Sequence, residues 1–127
     1  MVKVAVLDLN DQKNWNRWIV GTPDAVPRSS SFYSEQIQIV FANNPERENF
    51  LKIQVEHYHT PPIEEYFLVL QGTLKVKIED TTITLKPMQL LAIPPNKSHK
   101  IIDYSPPLQY FFIRAPISTQ KTKVVTE

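Results

Sequence analysis

The sequence predicts an all-β chain, a sandwich or a barrel, on three observations. Eleven prolines stand against two glycines. Apolar residues come in many short runs rather than long ones, and the runs recur at an even spacing with turn residues between them. Proline breaks helix interiors, so long helices are not favoured. At 127 residues the chain reads as one domain spanning residues 1–127, long enough to bury roughly two thirds of the surface its unfolded form exposes.

Taken in order, the predicted strands cover residues 2–9, 35–42, 51–59, 65–71, 73–79, 82–85, 90–93, 98–103 and 108–114. Each is a short stretch of apolar, β-branched or aromatic residues. The joints between them are rich in turn formers: residues 21–34, Asn43-Asn44-Pro45, Pro61-Pro62, Gly72, Glu79-Asp80-Thr81, Pro94-Pro95-Asn96 and Ser105-Pro106-Pro107. Residues 14–20, with Trp15 and Trp18 three apart, form either one helical turn or part of a packed loop. Residues 118–127 are polar apart from Val124-Val125, a tail either frayed or docked on a partner. There is no internal repeat, linker or low-complexity segment.

Charge and composition exclude several functions. Fourteen lysines and arginines balance thirteen aspartates and glutamates, with no basic stripe, which argues against a nucleic-acid partner. The first residues reach Asp8 too soon for a signal peptide, and no stretch approaches membrane-spanning length. The expectation is a soluble, cytoplasmic protein. With no cysteine there is no disulfide, and any metal is held by nitrogen and oxygen.

All three histidines fall in two short segments: His57 and His59 in one, His99 in the other, with Glu64-Glu65 between them. Residues 51–59 alternate strictly, with Leu51, Ile53, Val55, His57 and His59 at the odd positions. On a strand this places both imidazoles on the face of the leucine, isoleucine and valine, toward an apolar interior. Two adjacent inward imidazoles need partners there, and a divalent ion satisfies them.

From His57-Tyr58-His59, through Glu65 and the glycine seven residues after it, Gly72, to Pro94 and His99, the chain resembles the cupin superfamily. The resemblance covers about residues 51–103. It implies a small double-stranded β-helix, or jelly-roll barrel, with short flanking segments, and it makes His57, His59, Glu65 and His99 the ligands of one divalent metal ion (Fe, Mn, Ni, Cu or Zn). Asp103 takes the place of the family's trailing asparagine. Five residues separate His59 from Glu65 where three or four are usual, so Glu64 stands as the alternative ligand; the interval to Gly72 favours Glu65. Leu51 stands where the first motif often begins with glycine. Met88 and Asn96 also replace family glycines, so the Met88 turn must avoid a positive φ or bear strain, whereas asparagine tolerates that region.

Phe67 and Val69 share a strand face with Glu65 and are the expected walls of a pocket. On the last strand Leu108, Tyr110, Phe112 and Arg114 share one face. Facing inward, Tyr110 offers a hydroxyl and Arg114 a carboxylate-binding fork, with a rim ion pair the plainer role for the arginine. Asp103 either orients His99 or serves a turn or the surface. Lys75, Lys77 and Glu79 read as a solvent face.

Three imidazoles and a carboxylate leave coordination positions open for a small molecule. The resemblance therefore implies a metal-dependent enzyme of oxygenase or isomerase type acting on a small organic molecule. The alternatives are a cupin that binds a sugar or metabolite without turnover, and a structural barrel; the chain has no room for a helix-turn-helix that would make it a DNA-bound sensor. Exposed edge strands seek cover, and residues 2–9 suit pairing with a second copy, so a homodimer is expected.

Overall fold

The structure, a computed structural model, describes residues 4–22 and 25–116, together with the backbone of residues 123 and 124. It is nearly all-β. A single 3-10 turn, Gln12–Asn14, precedes β1 (Trp18–Val20) and β2 (Gln38–Asn43). A short helix, α1 (Arg47–Lys52), leads to β3 (His57–Tyr58), and then come β4 (Glu64–Ile78), β5 (Thr81–Leu85), β6 (Leu90–Ile93), β7 (His99–Ala115) and β8 (Lys123–Val124).

The frame is one long antiparallel pair, β4 with β7, whose register runs from Glu64↔Ala115 to Ile78↔His99. Two pairs of predicted strands are thus two continuous ones, 65–71 with 73–79 and 98–103 with 108–114. The pair is folded across its middle, where the register shifts on both sides of Gln71, facing Pro106-Pro107. Gly72 makes the bend possible: its φ is +77°, and a Cβ there would press on the backbone carbonyls of Ser105 and Pro107.

The bend also changes which residues face inward. Before it Glu65, Phe67 and Val69 are buried; after it Leu74 and Val76 are. Odd positions give way to even ones, so a single unbroken period of two does not describe the strand. β7 makes the same switch, from His99 and Ile101 to Tyr104, Leu108 and Tyr110, past a register irregularity that leaves Ile102 unpaired.

Each half of the pair carries its own neighbours. β6 flanks the first half of β4, while β2 and then β1 flank the second half of β7. β5 flanks the second half of β4, and β3 followed by β8 flanks the start of β7. The two layers face each other over one core in which Phe67, Val69, Ile93 and Tyr110 from the first meet Leu74, Val76, Leu85 and Ile101 from the second. The result is a jelly-roll-like barrel whose sheet does not close. No helix among the described residues is long and apolar enough to cross a membrane.

Two predicted strands are not strands. Residues 51–59 begin as the end of α1, and only His57–Tyr58 pairs. The Glu46 side chain accepts from the Glu48 and Asn49 N–H groups and caps the helix, and this local capping overrides the alternation. Ile53 and Val55 consequently face solvent, 72% and 50% exposed, instead of the interior. Residues 4–8 form no strand, and Val4 and Val6 are fully exposed. The predicted 14–20 segment resolves into the 3-10 turn and β1. Of the 118–127 tail, all but the β8 backbone, which pairs with β3, lies outside the described residues.

Candidate metal centre

Folding the β4–β7 pair in half brings both ends of each strand to one edge of the barrel, and the site lies there. Glu65 stands at the start of β4 with Arg114 as its cross-strand partner. His99 opens β7 opposite His57 of β3. His59 follows β3 and is fixed by its carbonyl, which accepts the Asn96 N–H at 2.7 Å. Asn96 donates from a left-handed conformation, φ +68°, so the residue in the glycine position performs the turn that a glycine would.

Glu65 is 1% exposed, and His59 and His99 are 3% exposed. One carboxylate oxygen, Oε1, lies 3.2 Å from His59 Nε2 and 2.8 Å from His99 Nε2. The His57 ring centroid is 4.3 Å from that of His99 and 5.2 Å from that of His59. His57, His59 and Glu65 bring one ligand atom each to within 4.8 Å of one another, a group that can hold a metal ion. His99 stands outside that set of three, 2.8 Å from the same carboxylate oxygen.

Protonation follows from the backbone. His57 Nδ1 is 2.7 Å from the Val55 carbonyl and His99 Nδ1 is 2.9 Å from the Lys97 carbonyl. A carbonyl only accepts, so each Nδ1 carries a proton, which leaves each Nε2 as the atom that would ligate a metal. Burial lowers the His57 pKa, favouring the neutral ligand form. Burial opposes charge on Glu65, but the facing His59 and His99 imidazoles outweigh it and hold the carboxyl well below the usual carboxylate range. The Nε2 atoms of His59 and His99 and both Glu65 oxygens are buried without a hydrogen-bond partner among the described residues. Buried polar atoms are rarely left so. A donor set of nitrogens and oxygens, shielded from water and short of partners, fits a divalent ion.

Glu64, the alternative ligand, points the other way: it is exposed and accepts the Tyr66 hydroxyl at 2.6 Å. Asp103 does not orient His99; it pairs with Arg47 on α1, and the Lys97 carbonyl takes the role. Met88 adopts φ +68°, so its turn bears the strain rather than avoiding it.

A cleft of about 420 Å³ opens beside Glu65, His57 and His99, with Phe67, Tyr110, Phe112 and Arg114 on its walls. Its size is that of a small-molecule site. The even face of β7 does turn inward, as expected. Val69 does not line the cleft: it is fully buried and packs in the core behind it. Arg114 is not a rim residue. Its guanidinium lies 5.4 Å from the centroid of Trp18 and 5.5 Å from that of Phe112, stacked on both rings. Its Nε stands 3.5 Å from Glu65 Oε2. Trp18 was legible only as one aromatic among several, because its contact with Arg114 depends on β1 reaching the site through β2.

Comparison with known proteins agrees with this geometry. Residues 51–113 match the cupin domain family model. The chain is a cupin. No curated protein matches it by sequence. Among solved structures, this cupin is similar to KdgF from Halomonas sp., with a TM-score of 0.53 and 14% identity over 68% of this chain and 74% of that one. It is similar to Pac13, described as a unique nucleoside dehydratase, with a TM-score of 0.56 and 14% identity over 72% and 70%; a Streptomyces Pac13 variant was solved with uridine. It is also similar to a structure from work on the DMSP lyases RdDddP and RnDddQII, with a TM-score of 0.55 and 14% identity over 84% of this cupin and 50% of that chain. At these identities the likeness is one of fold.

Proposed function

We propose that this cupin is a divalent-metal-dependent enzyme of oxygenase or isomerase type acting on a small organic molecule. His57, His59, Glu65 and His99 would hold the ion, which is Fe, Mn, Ni, Cu or Zn. The observation that carries the reading is the buried carboxylate of Glu65 among three imidazoles, its oxygens and the facing nitrogens of His59 and His99 close together yet without a hydrogen bond of good geometry among the described residues. When bound, the ion would act as Lewis acid or electron conduit toward a chelating carboxylate or enediol.

The chain's own residues do the rest. The Val55 and Lys97 carbonyls orient two ligands, and the apolar core behind Phe67 excludes water. Arg114, set against the Trp18 and Phe112 rings, presents a cation at the cleft wall. Burial raises the Tyr110 pKa, so the phenol stays protonated and is a hydrogen-bond donor at neutral pH. Structural neighbours described as a nucleoside dehydratase and in work on DMSP lyases support a fold suited to chemistry on small molecules.

The test is the metal content of protein purified without added metal, compared with that of His57→Ala. Wild type is expected to carry a metal and the variant to lose most of it; equal occupancy overturns the ligand assignment. Oxygen uptake and a broad metabolite screen then separate turnover from mere binding. A metal-loaded protein that converts nothing but gains thermal stability with a metabolite would be a binding cupin instead.

We also propose a cytoplasmic homodimer. The fully exposed Val4 and Val6 support pairing of that segment with a second copy. A monomeric mass at micromolar concentration would refute it.

A further inference from the structure

The cleft beside Glu65 adjoins a second one of about 380 Å³ that reaches Phe50 on α1, and Asn16, Val40, Ile53 and Tyr110 border both. The two lobes differ in chemistry. The first carries three cations, Arg17, Lys100 and Arg114, against the single carboxylate of Glu65. In the second the only charged side chain is Glu46, whose carboxylate is spent on the Glu48 and Asn49 N–H groups. The Asn16 amide is likewise spent, on both backbone groups of Asn43. What the second lobe offers a ligand is mainly hydrocarbon: Val40, Ala42, Phe50 and Ile53.

Two residues at the junction lack what their chemistry calls for. Ile53 is 72% exposed, a large apolar side chain at the rim of both lobes. Tyr110 is 4% exposed, its ring set against Phe67 with centroids 5.7 Å apart, and its hydroxyl has no hydrogen-bond partner among the described residues. An exposed isoleucine wants cover, and a phenol at the wall of both lobes has a hydroxyl free to donate to a ligand.

We infer that the two lobes form one site for an amphipathic carboxylic acid, its carboxylate beside Arg114 and hydrogen-bonded by Tyr110, its apolar tail in the second lobe against Phe50 and Ile53. The inference rests on the small-molecule reading above and adds the substrate class.

Each methylene buried in an apolar lobe strengthens binding roughly fourfold. Calorimetric titration of the metal-loaded full chain with butanoate, octanoate and octanol tests the assignment. Octanoate is expected to bind at least about tenfold tighter than either of the others. Ile53→Ser, at an exposed position, should shrink the chain-length gain, read as the ratio of octanoate to butanoate affinity within the variant, while Ile53→Leu keeps it. Arg114→Gln and Tyr110→Phe should weaken both acids and leave octanol unchanged. Equal affinities for octanoate and butanoate in wild type overturn the inference, as does an Ile53→Ser variant that keeps the full gain. If Ile53→Ser instead converts a dimer to a monomer and octanoate shows no gain, a second copy covers the lobe and the inference is again overturned. Metal content measured on the same samples keeps the two readings apart. A metal-free protein that retains the chain-length gain sinks the metal assignment alone, and a metal-bearing one without the gain sinks only the substrate class.

Discussion

The bend of the β4–β7 pair and its open end are made from the same two strands, yet they bury different things. At the bend Val69, Leu74 and Leu108 are completely buried hydrocarbons. At the open end the strands begin and finish with Glu65, His99 and Arg114, and the buried groups there are polar and short of partners. Apolar burial is concentrated where the pair folds over, and the buried polar groups where its ends meet. An inward carboxylate is tolerable at one end because the other end supplies the apolar packing.

If that division is right, the largest effect belongs to the bend. Gly72→Val requires a side chain at φ +77° against two backbone carbonyls and should cost at least about 4 kcal/mol in chemical denaturation. Leu74→Ala should cost about 3 kcal/mol, with metal bound per folded molecule unchanged. A comparable loss of metal in that variant would break the comparison, since the two ends would then not be separable. At the open end the expected outcome reverses. Wild type at a metal concentration a hundred times Kd gains about 2.7 kcal/mol, and Glu65→Gln should lose that gain while Glu64→Gln keeps it, read as the metal-dependent shift in Tm. The smallest effect lies away from both ends: Met88→Gly relieves a left-handed methionine and should add about 0.5–1 kcal/mol without altering metal content.

The candidate ligands were more legible in the sequence than the frame that carries them. The interval from Glu65 to Gly72 favoured Glu65 over Glu64, and Gly72 was legible as a joint between two strands, though not as a bend within one. The histidines were legible by scarcity. The strand reading of residues 51–59 failed over its first half because alternation of apolar and polar residues does not exclude the last turn of a capped helix, and the cap, Glu46, lies outside the alternating window. The continuity of β4 and β7 was hidden by their own bulges: Leu74 and Val76 are even where Phe67 and Val69 are odd, so each half read as a separate strand. Arg114 beside Glu65 is a matter of register between distant segments, which no local pattern encodes. The same holds for Asp103, whose partner Arg47 comes from a helix that was not anticipated.

The clasp between Asn96 and the His59 carbonyl joins the two histidine segments through backbone alone. A site assembled by the chain needs no ion to hold its shape, so the proposed metal should be removable by chelators with the barrel intact and replaceable by another. Ligands fixed beforehand by the fold impose their geometry on the ion, so geometry and availability weigh more than the intrinsic order of affinity, which rises from manganese to copper and falls again at zinc. Occupancy would then track cellular supply, and preparations from different growth media should differ in resident ion while sharing one structure.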